Sequence, residues 1–351
     1  MRLLQPGMAA AVAFRVLAHR LSQSRAIARE VGVEGLFQKI VAAHAAIRPE
    51  VSVTPLDFSS ALSASTGCDV FLKCEHLQPT GSFKLRGATN KLAHLDDAER
   101  RAGVVTASTG NHGLAVARAG SRLGISVTVY VAASASSLKT AAIRALGATL
   151  VSVDGPPIAA ELRARERGER EGKVYVSPYN DPQVVAGQGT TGVELVEQNG
   201  ELDAVFIAVG GGGLIGGAGT ALKRLSPKTR VVGVWPENSP CMLRALEAGR
   251  IVDVEETATL SDGTAGAVEA RSITFPICQA VIDETVTVTE HQIAAAMRRI
   301  AETERWMIEG AAGAAVAGMI KSAERYKGRK VAAVLCGRNI ALETFLTAVA
   351  G

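Results

Sequence analysis

Short apolar runs alternate with Ala-rich segments of helical spacing along most of the chain. The runs that predict strands are VFLKCE, GVVTAS, SVTVYV, TLVSV, VYVSPY, AVFIAV, RVVGVWP, ETVTVTE and KVAAVLCG. Alternation of this kind favours right-handed βαβ units and parallel sheets buried on both faces. Because so many strands rarely share one open sheet in a chain of this size, we expect two sheets.

The helical pattern begins near the N-terminus. Residues 33–47, VEGLFQKIVAAHAAI, predict a helix whose apolar positions are Leu36, Ile40, Val41 and Ala45. The residues before them are unusual, because Met1–Ala28 contain several arginines and no acid, as organelle presequences do. A mispredicted start or a frayed helix explains the same composition more simply. We therefore treat residues 1–34 as an extension outside the core.

Composition and charge exclude several classes of protein. The 351 residues are 47% apolar, and their net charge of +4 is not gathered into a basic block with aromatics, which argues against nucleic-acid binding. No apolar run is long enough to span a membrane. The five cysteines form no CxxC pair and the histidines no HxxxH pair, so neither a disulfide scaffold nor a zinc site is expected. A reducing compartment, the cytoplasm, fits best.

Four consecutive glycines follow the apolar run AVFIAV and precede a helical segment. So many glycines lose much chain entropy on folding, which predicts a geometric need. Backbone N–H groups at such a turn, close to a helix N-terminus, can surround a phosphate. No Lys-Ser or Lys-Thr follows, so a nucleoside-triphosphate loop is not expected. A dinucleotide site fits poorly this late in the chain, and a tight strand-to-helix turn without a ligand is the simpler explanation that stays open.

Other segments carry residues suited to binding an amino acid. Lys84 in TGSFKLRG lies among small and polar residues shortly after the predicted strand VFLKCE, a setting that suits a lysine bonding covalently to a carbonyl. The segment TASTGNHG offers side-chain donors at a helix start, where they can bind a carboxylate or simply cap the helix. Cys336 is either a small buried apolar residue or a weak S–H donor to a ligand. Glu309 lies in an apolar run, so it either has a partner or favours a helix N-terminus.

These features together predict two ligands. A reactive lysine, a phosphate cradle and a carboxylate site are most economically explained by pyridoxal 5′-phosphate and a small-molecule amino-acid substrate.

The motifs GSFKLRGA, STGNHG, VAGQGT, VGGGGL and SDGTA stand in the same order as in the fold-type II pyridoxal-phosphate enzymes. The chain most resembles the threonine/serine dehydratase and serine racemase branch, over about Thr54 to Asn339. The resemblance implies an α/β fold like that of the tryptophan synthase β chain, with two parallel-sheet α/β domains and the cofactor between them. Residues 35–102 and 181–351 would form the large domain, and residues 103–180 the small one. Relatives are commonly dimers or tetramers, so we expect a homo-oligomer.

The resemblance also implies a role for individual residues. Lys84 would hold the cofactor covalently and then act as base on Cα, Phe83 would pack on the cofactor ring, and Asn111 would bind the ring hydroxyl. Cys336 takes the place near the pyridine nitrogen, and Glu309 lies on the cofactor side. The residues that would bind the phosphate are Gly210, Gly211, Gly212, Gly213 and Leu214. The residues that would line the substrate carboxylate are Ser82, Ser108, Thr109, Gly110 and His112.

The implied reaction is loss of a β-hydroxyl. With Cys336 rather than a carboxylate beside the ring nitrogen, the cofactor is a weaker electron sink, which suits prompt elimination. We expect a lyase that converts L-threonine or L-serine to a 2-oxo acid and ammonia. The chain ends soon after Asn339, so we expect no C-terminal regulatory domain and a catabolic role.

Three departures from the pattern qualify this expectation. Thr109 replaces the serine that racemases use as a second base, so racemisation is in doubt. Trp235 replaces a metal-binding acid, so we expect no divalent ion there. Arg338 replaces a small residue and either faces the site or points to solvent.

Several functions besides threonine or serine dehydration stay open at this point. "CGRN" and "EGAAG" resemble the dehydratases of hydroxyectoine utilisation, which are thought to act on a hydroxylated diaminobutyrate. Racemisation or β-replacement, a non-catalytic binding protein and a nicotinamide-dependent oxidoreductase also stay open. The intact Lys84 argues against the non-catalytic protein, and only the glycines favour the oxidoreductase.

Overall fold

The computed structural model describes residues 33–135 and 137–350. The predicted extension, residues 1–34, lies outside the described residues except for its last two, which begin the first helix. The strands are β1 (Leu56–Phe58), β2 (Asp69–Lys73), β3 (Val104–Ala107), β4 (Val127–Ala132), β5 (Thr149–Val153), β6 (Val174–Tyr175), β7 (Ala204–Ala208), β8 (Arg230–Pro236), β9 (Glu284–Val288) and β10 (Lys330–Val334).

These strands form two sheets in the described part of the chain, as predicted. The first has the order β1-β2-β10-β7-β8-β9, and the second the order β5-β4-β3-β6. All neighbouring strands are parallel except β1 and β2, and the antiparallel β1 was not predicted. In the first sheet Ala332 of the central β10 pairs with Phe71 of β2 and Val205 of β7. The apolar runs of β7 and β10 are buried because helices cover both faces of the sheet.

The second sheet is built entirely within residues 104–175, inside the span predicted for the small domain. The first sheet takes its strands from both sides of that span. The domain boundaries themselves stay a proposal.

Helices connect the strands. They are α1 (Val33–Ala46), α2 (Ser60–Thr66), α3 (Lys84–Ala93), α4 (Asp97–Ala102), α5 (Asn111–Leu123), α6 (Ser137–Ala145), α7 (Pro157–Glu171), α8 (Pro182–Asn199), α9 (Gly213–Leu225), α10 (Cys241–Ala248), α11 (Thr274–Val281), α12 (Glu290–Thr303), α13 (Gly310–Lys321) and α14 (Leu342–Ala350).

The buried face of α1 differs from the predicted one. Leu36, Ile40 and Ala43 are buried, whereas Val41 is 51% exposed, and Ala45 is also exposed. The predicted positions covered too wide an arc of the helix. The true face is the one that meets α8 and α9, which periodicity alone could not select.

Helix α8 lies at the centre of the molecule, between α3 and α9, and glycines permit its close approach to both. A Cβ at Gly187 would lie 2.6 Å from the carbonyl oxygen of Arg86 on α3, and one at Gly217 of α9 would lie 2.6 Å from the backbone nitrogen of Gly189. Helix α8 therefore fixes the relative position of α3 and α9, the helices that begin at Lys84 and at the glycine loop.

Candidate active site

Lys84 is the first residue of α3, and the chain before it is tied to the end of the central strand β10. Ser82 forms an antiparallel bridge with Gly337, and the Phe83 N–H donates to the carbonyl oxygen of Cys336 at 3.0 Å. These bonds place Lys84 at the carboxyl end of the first sheet. Ligands of parallel α/β sheets commonly bind at this end.

The amino group of Lys84 is held in a largely desolvated place. Its Nζ donates to the carbonyl oxygen of Pro178 at 2.9 Å. Burial lowers the Lys84 pKa to about 8, against the opposing effects of Cys336 and Glu309. The uncharged amine, which is the form that attacks a carbonyl, is therefore far more abundant near neutral pH than in a solvated lysine.

The glycine loop joins β7 to α9, and its glycines are required by close neighbours. Gly212 has φ +84°, and a Cβ at Gly210 would lie 2.8 Å from the carbonyl oxygen of Thr264. The ring of Tyr179 lies against the loop, 2.5 Å from a Cβ at Gly211. The loop could not keep this path with larger residues.

The N–H groups of this loop are available to a ligand. Within the described chain, those of Gly210, Gly211 and Gly212 have no protein acceptor, and α9 begins at Gly213. Free N–H groups at a helix N-terminus form a site for an anion. Pro178 accepts a hydrogen bond from Lys84, and the next residue, Tyr179, contacts the glycine loop. The lysine and the cradle therefore lie on either side of one short segment. The arrangement fits a phosphate monoester whose carbonyl is bound by Lys84.

Glu309 joins the two sheets at the site. It directly precedes α13 without a side-chain hydrogen bond to that helix, and it is 3% exposed. Its carboxylate accepts from Asn111 Nδ2 at 2.9 and 3.0 Å and from the Asn339 N–H at 3.1 Å. Asn339 Nδ2 in turn donates to Asn111 Oδ1 at 2.5 Å. Burial raises the Glu309 pKa to about 7, although Asn111 opposes the shift. The contacts of Glu309 fit the interpretation that it has partners, because its carboxylate bonds to Asn111 and Asn339.

The segment predicted to bind a carboxylate lies between β3 and α5. Ser108 Oγ accepts from the Gly110 N–H at 3.2 Å, and Thr109 is partly exposed. His112 is buried, and its Nε2 bonds to the Val176 carbonyl oxygen at 2.9 Å. Burial lowers the His112 pKa to about 3, so this ring is neutral and Nε2 is the donor. His112 holds α5 on the second sheet in this arrangement.

The remaining predicted positions have distinct surroundings. Ser82 is fully buried and its Oγ has no partner among the described residues, which leaves a donor for a ligand. Cys336 Sγ lies 3.9 Å from Glu309 Oε1, and burial raises its pKa well above 9. The Arg338 side chain is exposed. Trp235 is fully buried in the core of the first sheet, and the lack of a divalent ion there stays a prediction.

Several residues at the site were not predicted. Tyr179 supports the glycine loop, and its hydroxyl accepts from the Glu269 N–H at 2.9 Å. Asn339 was part of a recognised motif but had no predicted role, although an asparagine after a strand is itself a signal of a polar site. Thr274 Oγ1 donates to the carbonyl oxygen of Gly211 at 2.5 Å. Nothing local marks Tyr179 or Thr274, because their role depends on a loop distant in sequence.

Comparison with known proteins identifies the class to which this site belongs. Residues 47–337 match the family described as pyridoxal-phosphate dependent enzyme. The chain belongs to this family, and its cofactor is pyridoxal 5′-phosphate.

Individual relatives are similar over most of their length. An L-threonine ammonia-lyase of Thermotoga maritima is 41% identical, over 87% of this chain and 75% of the relative. An L-threo-3-hydroxyaspartate ammonia-lyase of Pseudomonas is 36% identical, over 85% of this chain and 93% of the relative. The solved structure of a processed threonine deaminase isoform of Solanum lycopersicum superimposes with a TM-score of 0.87, at 35% identity, covering 90% of this chain and 88% of that chain. The fold is thus that of the fold-type II enzymes, as predicted.

Proposed function

We propose that the protein is a pyridoxal-phosphate-dependent ammonia-lyase that removes the β-hydroxyl of a 3-hydroxy amino acid such as L-threonine or L-serine. The products are a 2-oxo acid and ammonia. The observation that carries this proposal is the desolvated Lys84 amine beside a glycine cradle with free N–H groups. The similar ammonia-lyases and the threonine deaminase structure support it. These relatives do not favour a hydroxyectoine dehydratase.

Several residues at the site would hold the cofactor. The glycine cradle would bind the phosphate, Lys84 the carbonyl, and Asn111 the ring hydroxyl. Phe83 would pack on the cofactor ring, and Leu214 would add its N–H to the cradle. When bound, pyridoxal phosphate makes the Cα proton of an amino acid acidic by withdrawing electrons.

Lys84 then moves the proton. Once a substrate amine has taken its place at the carbonyl, its Nζ is a free base, and burial makes the unprotonated form accessible near neutral pH. Nζ would accept the proton from Cα, and this proton and the β-hydroxyl would together be lost as one water. Addition of one water to the dehydrated amino acid releases ammonia and leaves the 2-oxo acid.

The substrate carboxylate would lie against Ser82, Ser108, Thr109 and Gly110, where Ser82 Oγ is an unused buried donor. His112 supports this segment indirectly, because its Nε2 is bonded to the Val176 carbonyl oxygen. Thr109 in place of a serine and the neutral Cys336 thiol both favour elimination over racemisation.

The test is an assay of 2-oxo acid and ammonia from L-threonine, L-serine, L-threo-3-hydroxyaspartate and 3-hydroxy-2,4-diaminobutyrate. We expect turnover of threonine or serine, with activity reduced by at least about 10³-fold in Lys84→Ala. Lys91→Ala is the matched control, because Lys91 lies on the same helix but pairs with Asp181 at 2.8 Å. It should keep both activity and the near-violet absorbance of the bound cofactor.

Two results would change the conclusion. Turnover of only the diamino acid would establish a hydroxyectoine dehydratase instead. A wild-type protein that stays colourless and inactive after addition of pyridoxal phosphate would refute a catalytic function.

A cytoplasmic location and a dimer or tetramer are also proposed. All five cysteines are free, which suits a reducing compartment. Among the described residues, no helix is long and apolar enough to cross a membrane. The proposal of an oligomer rests on the resemblance to enzymes that are commonly dimers or tetramers. Light scattering on the purified protein tests the oligomer.

A further inference from the structure

Four charged side chains lie fully buried beneath α3, away from the amine of Lys84. This charge cluster consists of Lys73, Glu75, Arg86 and Glu194, none more than 1% exposed. It contains two cations and two anions. The members come from β2, the short 3-10 turn Glu75–Leu77, α3 and α8.

Arg86 holds the centre of the cluster with both edges of its guanidinium. One edge binds Glu75, with Nε to Oε2 and Nη2 to Oε1 both at 2.7 Å. The other edge binds Glu194, with Nη1 to Oε1 at 2.8 Å and Nη2 to Oε2 at 2.7 Å. Thr190 Oγ1 accepts the second hydrogen bond of Nη1, at 3.1 Å. All donors of the guanidinium are used, in the paired geometry that makes such bonds strong.

Lys73 completes the cluster, and all of its donors are used as well. Its Nζ donates to Glu194 Oε2 at 2.7 Å, to the Thr54 carbonyl oxygen at 2.7 Å and to Gln198 Oε1 at 2.9 Å. Three donors thus meet three acceptors. Glu75 also accepts from Thr54 Oγ1 at 2.5 Å.

Stability alone gives a weak reason for such a cluster. Removing charges from water is costly, and well-packed apolar residues often replace a buried ion pair without loss of stability. Charged groups with one satisfied arrangement do, in some proteins, specify the position of the segments that carry them. The position of the cluster in the chain shows which segment that is here.

The Glu75–Arg86 pair closes the segment that carries the reactive lysine. Glu75 and Arg86 stand at the two ends of residues 75–86, and Ser82 and Lys84 lie between them. Gln78 ties the segment further, since its Nε2 donates to the Ser52 carbonyl oxygen at 2.9 Å and to Glu75 at 3.4 Å. Arg86 also belongs to the first turn of α3, where its N–H donates to the Phe83 carbonyl oxygen at 3.0 Å.

We propose that Arg86 is a positioning residue for Lys84, because its bidentate bonds to Glu75 close the segment 75–86 that carries the lysine. The inference rests on the proposed function of Lys84. With the Glu75–Arg86 pair removed, the first turn of α3 frays and Nζ loses its place.

Two double variants separate positioning from stability. Glu75→Gln with Arg86→Met removes the pair that closes the segment and leaves Lys73 bound to Glu194. Lys73→Met with Glu194→Gln removes the Lys73–Glu194 pair and leaves Glu75 bound to Arg86. Both variants lose the Arg86–Glu194 ion pair, so they differ in the Glu75–Arg86 pair. Each removes one cation and one anion from the same buried cluster, so each remains charge-balanced. Only the first variant breaks the Glu75–Arg86 contact that joins the two ends of residues 75–86.

The measurements are kcat and KM with L-threonine, the thermal midpoint, and hydrogen exchange of the apoprotein over residues 79–86. For Glu75→Gln/Arg86→Met we expect kcat to fall by about 10- to 100-fold with KM changed by less than about threefold, since proton transfer depends on geometry. Amide exchange over residues 79–86 should rise in this variant alone. Lys73→Met/Glu194→Gln should keep kcat within about threefold, while its thermal midpoint falls by as much as that of the first variant.

Equal losses of kcat in the two variants, or unchanged exchange over residues 79–86 in the first, would overturn the proposal. The exchange measurement needs no cofactor or substrate. It therefore still tests the role of the pair if the wild type proves not to be an ammonia-lyase.

Discussion

The lysine that reacts with the cofactor is chemically different from a lysine at the protein surface. A solvated amine is almost wholly protonated at pH 7, and a protonated amine does not attack a carbonyl. Burial stabilises the neutral form of Lys84 and lowers its pKa to about 8. The carbonyl oxygen of Pro178 accepts a hydrogen bond from Nζ and so fixes the direction of the amine.

This pKa predicts how the apoprotein captures its cofactor. The neutral fraction of Lys84 rises as the pH rises through about 8, so the rate of pyridoxal phosphate binding should rise with pH and level off above about 9. Stopped-flow absorbance in the near violet measures the rate. A small alkylamine is the control, because its reaction with the same reagent should keep rising to about pH 10. Equal midpoints for protein and amine would show that burial does not activate Lys84.

At the scale of elements, the site depends on how closely its helices pack against one another. Gly217 of α9 contacts the backbone of α8, where neither the Val185 carbonyl nor the Gly189 N–H can move without shifting the helix. The same sequence feature, a glycine in a helix, has a different meaning at Gly35 of α1. Among residues 33–135 and 137–350, nothing lies within 4 Å of a Cβ at Gly35.

Alanine at these two glycines should therefore have opposite effects. Gly217→Ala should lower the free energy of unfolding by about 1–3 kcal/mol, because the methyl group overlaps backbone atoms of α8. Gly35→Ala should raise it by about 0.5–1 kcal/mol, because alanine loses less entropy in a helix. Urea unfolding of the apoprotein measures both. A stable Gly217→Ala protein with full cofactor affinity would show that α8 and α9 do not need this contact.

At the scale of the whole molecule, the site joins the two sheets. Asn111 begins a helix that packs on the second sheet, whereas Glu309 and Asn339 lie on the side of the first sheet. The Asn111 side chain bonds to the side chains of Glu309 and Asn339, and the Asn339 backbone N–H donates to Glu309. Lys84 and the glycine cradle both belong to the first-sheet side. A ligand held by both sides binds only the folded chain and should stabilise it.

Pyridoxal phosphate should accordingly raise the thermal midpoint of the apoprotein. At about 100 times the dissociation constant the expected gain is about 2.7 kcal/mol, or about 3–4 °C for a chain of this length. Pyridoxine 5′-phosphate has the phosphate but no aldehyde, so it should give a smaller shift. The two compounds should act alike on Lys84→Ala. An equal shift by both compounds in the wild type would mean that the phosphate cradle alone accounts for binding.

The sequence by itself determined the alternation of strands and helices and the position of the main motifs. The buried strand β7 is apolar along its whole length, β10 is apolar after its first residue, and that pattern is local. Lys84 and the four glycines were recognisable because their chemistry is unusual at a strand-to-helix turn. The resemblance of five ordered motifs then indicated the family, which the comparisons confirmed.

The tertiary structure alone decided which distant residues meet. The buried face of α1, the antiparallel β1 and the support of the glycine loop by Tyr179 all depend on partners far away in the chain. So does the charge cluster, since Glu194 lies 108 residues from Arg86 and each residue by itself resembles a solvated charge. Desolvation and hydrogen-bond pairing are properties of the packed interior, and they convert ordinary residues into a site.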